Sequence, residues 1–433
     1  MKTLTSIIIL FSIAFANSPA MATEENKLTL VYTGNLNGEL EPCGCTKEGD
    51  LGGIRRQATM LARLRKQAPG LFLISSGGLL ANDSATDRIK NKYILKGIHK
   101  HNYDAIGVQA RDLVFGPNLL LSEPLPWVAS NQMDDRFKFS RKITHNQVTL
   151  ELFSWMAANN TQLPQMQGKH AQAGISIKQL SSNIRQAKQL GYVTVLATTQ
   201  TLAQLNKVLD LQYIDILLIE AAHEVYGQAQ RVGQTLVLQP GSRGMRLGLV
   251  KLQLNKHRRI QSYQHQIIEL PTSIPEATDY ATWYENYNAE LKQDYLKRVE
   301  LRKATDTGNN PYSGAEKCQA CHQQTFQRWQ QSQHAQAFAS LEKVRKSFDP
   351  NCIGCHTVGF DKSGGFMDEH ITPQLMHVQC ESCHGAAGKH VSTAGNTPTP
   401  NKQWSKEKIC RQCHIGSHSP SFTVKQYWPK IKH

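Results

Sequence analysis

Four times in its last quarter the chain repeats Cys-x-x-Cys-His: Cys318, Cys321 and His322; Cys352, Cys355 and His356; Cys380, Cys383 and His384; Cys410, Cys413 and His414. This spacing is the attachment site of a c-type haem. Two thiols add across the porphyrin vinyl groups, and the adjoining histidine turns in to ligate the iron. Structural zinc also uses Cys-x-x-Cys pairs, but it does not require a histidine straight after each one. With 17 histidines in 433 residues, four such placements have a chance frequency on the order of 10⁻⁶, and a disulfide framework fails on the same histidines. Four covalently bound haem c groups are therefore expected, with those four histidines as proximal ligands.

Each iron has a second axial position. Two axial histidines give a low-spin electron-transfer centre, whereas an open position admits a substrate. The local histidines left for this role are His334, His370, His377, His390, His418 and His433. Two further cysteines, Cys43 and Cys45, stand apart in the segment Leu40 to Cys45. In an oxidising compartment their default is a disulfide. So tight a ring is strained, and strained bridges tend to be labile or catalytic. A structural bridge, a redox-active pair, and a metal or extra cofactor site with His223 all stay open for them.

These groups need a scaffold. Residues 1–22 read as a cleavable signal peptide: Lys2 in a polar head, the apolar run Ile7 to Ala16, then Ala20, Met21 and Ala22. The run is too short to span a bilayer. The mature chain is expected in the periplasm, with no transmembrane segment. The formal charge of +15 drops to +14 with the loss of Lys2. That compartment argues against nucleic acid as a partner. Eight haem propionates would offset roughly half of the charge, and the rest would steer an acidic periplasmic redox protein or an anionic substrate.

Residues 23–270 read as one α/β unit. Leu28 to Tyr32, Leu71 to Ile74 and Val193 to Leu196 are apolar runs of strand length, and Ile54 to Gln67 and Ile177 to Leu190 have helical periodicity. Strands alternating with helices imply a layered sheet structure. Residues 271–311 read as a linker helix and hinge. Tyr280, Tyr284, Tyr287, Leu291, Tyr295 and Val299 form one helical stripe, and Thr305 to Gly314 is rich in Gly, Asn and Pro. Residues 312–433 form the haem domain. With about 120 residues for four cofactors, the porphyrins themselves are expected to be its core.

Residues beyond the motifs carry a resemblance. Trp329, Ser332 and His334, then Cys355 to Phe360, then Val378 to Gly385 with His390, and finally Ser419 to Phe422 resemble the tetrahaem cytochrome c family that takes electrons from hydroxylamine oxidation. The match runs from about Tyr312 to Phe422. It implies that His334 and His390 are distal ligands, with His377 and His418 as further candidates. The family mixes bis-histidine haems with one high-spin haem, so one open iron is compatible with it.

The first domain resembles the 5′-nucleotidase branch of the metallophosphoesterases as far as about Leu254. Asn35 and Asn37 stand where that family has a metal-binding Asp and His. Gly52 to Arg56 resembles its glycine-arginine turn, and Ser76 to Gly78 replaces its Gly-Asp pair. Gln109, Ala110, Arg111 and Asp112 stand in place of Gly-Asn-His-Glu. Thr199 and Gln200 replace a metal histidine, and Ala221 precedes a retained His223 in the last ligand motif. Pro240 to Gly244 fits the closing strands. Two-metal hydrolysis needs a clamp of carboxylates and imidazoles, so the resemblance implies a phosphatase frame without its catalysis. Arg55, Arg56 and Arg111 would place positive charge near Cys43 and Cys45 and lower a thiol pKa.

The fold class expected is α/β: a layered metallophosphoesterase-like sandwich followed by a mostly helical and loop multihaem cytochrome c domain. The leading function is electron transfer, the first domain serving docking or ligand binding. The alternatives are an oxidoreductase acting on a small nitrogen or sulfur compound, at an open haem or at Cys43/Cys45, and a pure binding module.

Overall fold

A computed structural model describes residues 26–42, 50–81, 87–131, 134–156, 176–219, 227–306, 308, 310–415, 419 and 421–433. The expected signal peptide, Cys43, Cys45, Ala221, His223 and His418 lie outside the described residues.

Two six-stranded sheets form the first domain. One has the order β12-β11-β1-β2-β3-β4, from Ile260–Glu269, Arg246–Leu254, Lys27–Thr33, Phe72–Ser75, Ala105–Gly107 and Trp127–Val128. The other has the order β5-β6-β7-β8-β10-β9, from Ser140–His145, Val148–Trp155, Val193–Thr198, Ile216–Ile219, Thr235–Leu238 and Gln230–Val232. The central neighbours β1, β2, β3 and β4 run parallel, while β11 and β12 close that sheet antiparallel.

Alternation along each strand builds the layers. Leu28, Leu30 and Tyr32 of β1 face Leu150, Leu152, Val193 and Val195 of the other sheet, in an apolar layer between the two. Val31 and Leu73 point the other way, onto helices α1 (Ile54–Gln67) and α2 (Asp87–Lys100). Leu196 and Leu217 face helix α3 (Ile177–Gln189) on the far side. Strands covered on both faces read as unbroken apolar runs, which explains why three of them stood out in the sequence.

Helix α4 (Ala281–Thr305) crosses between the two parts of the molecule. Trp283, Tyr287 and Leu291 join the core that covers the first sheet, while Tyr295 and Val299 join a second core with Phe338, Leu341, Ile353, Val358, Phe366 and Leu375. The haem region therefore has a small apolar core of its own, built around the second Cys-x-x-Cys-His. The stretch read as a hinge is fastened at its far end: the Glu381 carboxylate accepts from Ser313 and Gly314 backbone N–H groups, and Gln379 Oε1 accepts from Ala315 N–H. None of the described helices is long and apolar enough to cross a membrane.

Candidate haem-binding sites and the rebuilt phosphoesterase cleft

Short helices carry the motifs. Pro350–His356 and Cys380–His384 each hold one whole, so the two cysteines and the histidine of each lie on one turn-and-a-half of helix. None of the eight motif cysteines is in a disulfide. In a haem-loaded chain their sulfurs are thioethers, so contacts between them report which motifs are neighbours. The Cys318 thiol lies beside that of Cys380, and the Cys413 thiol beside that of Cys355. Cys383 lies beside Cys410 and Cys413. The spatial order of the motifs is thus first, third, fourth, second.

Imidazoles from distant segments face each other. His322 and His390 lie nearly parallel, with centroids 6.3 Å apart and planes 17° apart. His334 and His414 are 6.2 Å apart, and His384 and His433 are 5.8 Å apart. Two imidazoles that hold one metal from opposite sides, with nitrogen about 2 Å from it, have centroids roughly 6 Å apart. All three pairs have that separation. Each joins one motif histidine to one histidine from elsewhere, as bis-histidine ligation needs.

Hydrogen bonds choose the tautomer. Nδ1–H of His390 donates to Thr397 O at 2.7 Å, Nδ1–H of His356 to Ala337 O at 2.6 Å, and Nδ1–H of His433 to Ile431 O at 3.2 Å. A carbonyl only accepts, so Nε2 keeps its lone pair for a metal. His414 Nδ1 lies 3.0 Å from Ser419 Oγ, and Phe422 stacks on its ring at 4.5 Å. Burial lowers the pKa of His334, His384 and His414, which favours the neutral ligand form.

His377 is built differently. Its Nδ1 accepts the backbone N–H of Phe338 at 3.2 Å, which leaves the proton on Nε2, and its ring packs edge-on to Phe338. Among the described residues no motif histidine ring faces it. His370 is exposed beside Glu369. His433 was one of six local histidines open to the distal role in the sequence, and the resemblance did not single it out. Its pairing with His384 is a tertiary fact with no local signal.

In the first domain, the ends of β1, β2 and β3 converge where the resemblance put metal ligands. Asn35 Oδ1 accepts from Gln109 Nε2 at 2.8 Å, and Asn35 Nδ2 donates to Gly241 O. The Arg111 guanidinium donates to Asn37 Oδ1 and to Leu80 O. Asp112 accepts from the backbone N–H groups of Gly78, Leu79, Leu80 and Gln109. Burial pushes its pKa up, against the pull of those four donors. The described oxygens are already used inside an amide and guanidinium network, and no described cluster of three or more His, Cys, Asp or Glu could hold a metal. These residues do not fit a two-metal centre.

The arginines are also engaged. Arg55 pairs with Glu276 at 2.6 Å and lies over the Tyr284 ring, while Arg56 pairs with Asp50 at 2.8 Å.

Comparison with known proteins agrees with both halves. Residues 317–385 match the family described as cytochrome c554 and c-prime. Cytochrome c-554 of Nitrosomonas europaea is 32% identical over 136 residues, covering 24% of this chain. The chain spans 58% of the length of that relative. A 5′-nucleotidase precursor from Thermus thermophilus aligns over 61% of this chain and 59% of its own, at 14% identity and TM-score 0.51. The sulfate thiohydrolase SoxB of the same organism aligns over 62% of this chain and 61% of its own, at 15% identity and TM-score 0.52. At such identity these two speak for the fold alone. The C-terminal region of this chain matches the cytochrome c554 family, a match that implies covalently bound haem c, and it follows an N-terminal domain with the 5′-nucleotidase fold.

Proposed function

We propose that this chain is a periplasmic tetrahaem electron-transfer protein whose phosphoesterase-like domain has lost hydrolysis and serves docking or ligand binding. The observation that carries the reading is the set of three facing imidazole pairs at about 6 Å, each contributed by distant segments. Bound haem supplies one-electron chemistry. The chain holds each group by two cysteines, fixes Nε2 as the ligand atom through Nδ1 hydrogen bonds, and packs the motifs in contact so that electrons pass between neighbours. In the first domain, the network around Asn35 and Arg111 leaves no described carboxylate and imidazole clamp for activating water.

The test is intact mass together with low-temperature EPR of the oxidised protein, with and without nitric oxide, hydroxylamine or sulfite. Four haems, with low-spin signals for the three paired sites and no response to the added ligands, support electron transfer. A high-spin iron that binds one of those ligands would move the reading to an oxidoreductase acting at that iron.

A further inference from the structure

The N-terminal domain meets the haem region at a charged, largely buried cluster. Lys346 Nζ donates to Glu41 Oε2 at 2.6 Å and to Asn288 Oδ1 at 2.7 Å, and lies 4.0 Å from Asp349. The side chains of Lys346 and Asp349 are only 9% and 6% exposed. The Tyr284 hydroxyl, on the crossing helix, donates to Glu41. Although burial opposes its charge, the neighbouring Glu41 holds the Lys346 pKa above the ordinary lysine range. Cys352, the first sulfur of the second motif, lies in the electrostatic field of Asp349, Lys346 and Glu41. So the second motif, last in the spatial order, is the one that abuts the N-terminal domain.

Charges this close at a largely buried interface are screened less than charges in bulk water. A negative charge beside a haem stabilises the ferric form and a positive charge the ferrous form. We propose that the N-terminal domain tunes the end of the haem chain: Glu41, acting through Lys346 and Asp349, is a positioning residue that sets the reduction potential of the haem held at Cys352, Cys355 and His356. The inference rests on the reading that this motif carries haem, and it gives the domain a function other than hydrolysis.

The test is a potentiometric titration of the full haem-loaded chain, with haem content of every variant measured by mass. Glu41→Gln leaves Lys346 less neutralised and should raise one component of the titration. Lys346→Met leaves carboxylates unneutralised and should lower the same component. The double variant should return near wild type. Glu269→Gln, which removes an exposed pair with Arg246 elsewhere, should move nothing. Should Lys346→Met fail to load haem, the rise in Glu41→Gln decides alone. Four haems with no component moved would overturn the inference while leaving electron transfer intact. So would shifts of the same sign in both single variants, the mark of a merely loosened interface. No haem at the second motif of the wild type overturns both.

Discussion

At the scale of single residues, the histidines divide by which nitrogen carries the proton. His390 donates from Nδ1 and so offers Nε2 to a metal, whereas His377 accepts at Nδ1 and does not. His390→Ala is therefore expected to turn one low-spin haem high-spin in the EPR spectrum, and His433→Ala another. His377→Phe should leave the low-spin count unchanged. The motif cysteines and histidines were legible in the sequence because their spacing is local. The pairs were not, because His334 and His414 meet only after eighty residues of folding.

A different histidine governs acid stability. His101 is buried between Tyr103 and Tyr280, its Nε2–H donating to Ile54 O at 3.1 Å. Burial pushes its pKa down to about 4, and Arg65 and Lys100 push the same way, against Ile54 O and Asp279. The folded pKa lies below the unfolded one, so full stability holds above about pH 6.5 and is lost as the pH falls toward 4. Its contribution is roughly 3 kcal/mol across that window. The urea midpoint of His101→Gln should fall less steeply than that of the wild type between those limits; parallel slopes would contradict the assignment.

At the scale of elements, helix α4 decides how the molecule holds together. The stripe through it was readable as Tyr280, Tyr284, Tyr287, Leu291, Tyr295 and Val299, but Trp283, whose indole N–H donates to Tyr93 O at 2.9 Å, was missed. Periodicity shows that a face is buried and not which neighbours bury it. Here one stripe enters two cores, which couples them. Leu291→Ala should cost about 3 kcal/mol, and it should lower the far-UV and Soret melting transitions together. A shift in the far-UV signal alone would show two independent units. Glu381 teaches the same lesson at the third motif. As a variable position of Cys-x-x-Cys-His it had no role readable in the sequence, yet its carboxylate ties down Ser313, Gly314 and Ala387.

Across the whole molecule, charge is uneven. From Lys402 to His433 the chain has seven basic residues, Lys402, Lys406, Lys408, Arg411, Lys425, Lys430 and Lys432, against the single acid Glu407. All seven are exposed. Lys408 and Lys406 lie over the rings of Trp404 and Trp428, which keeps their ammonium groups at the surface around the fourth motif. Glu41, Lys346 and Asp349 instead form an ion-paired cluster at the second motif, where the first domain covers the chain. The second motif, at one end of the order, is therefore covered, whereas the fourth motif next to it opens onto a cationic face. Such a face raises the encounter rate with an acidic partner and loses that advantage once salt shortens the Debye length to about 10 Å near 0.1 M. Reduction by a small acidic redox protein should slow steeply with ionic strength. Lys406→Glu with Lys408→Glu should slow it about tenfold at low salt and flatten the salt dependence. Stopped-flow measurement at several salt concentrations checks this. An unchanged slope would place the entry point for electrons elsewhere, with the exposed Cys321 end of the first motif as the next surface to probe.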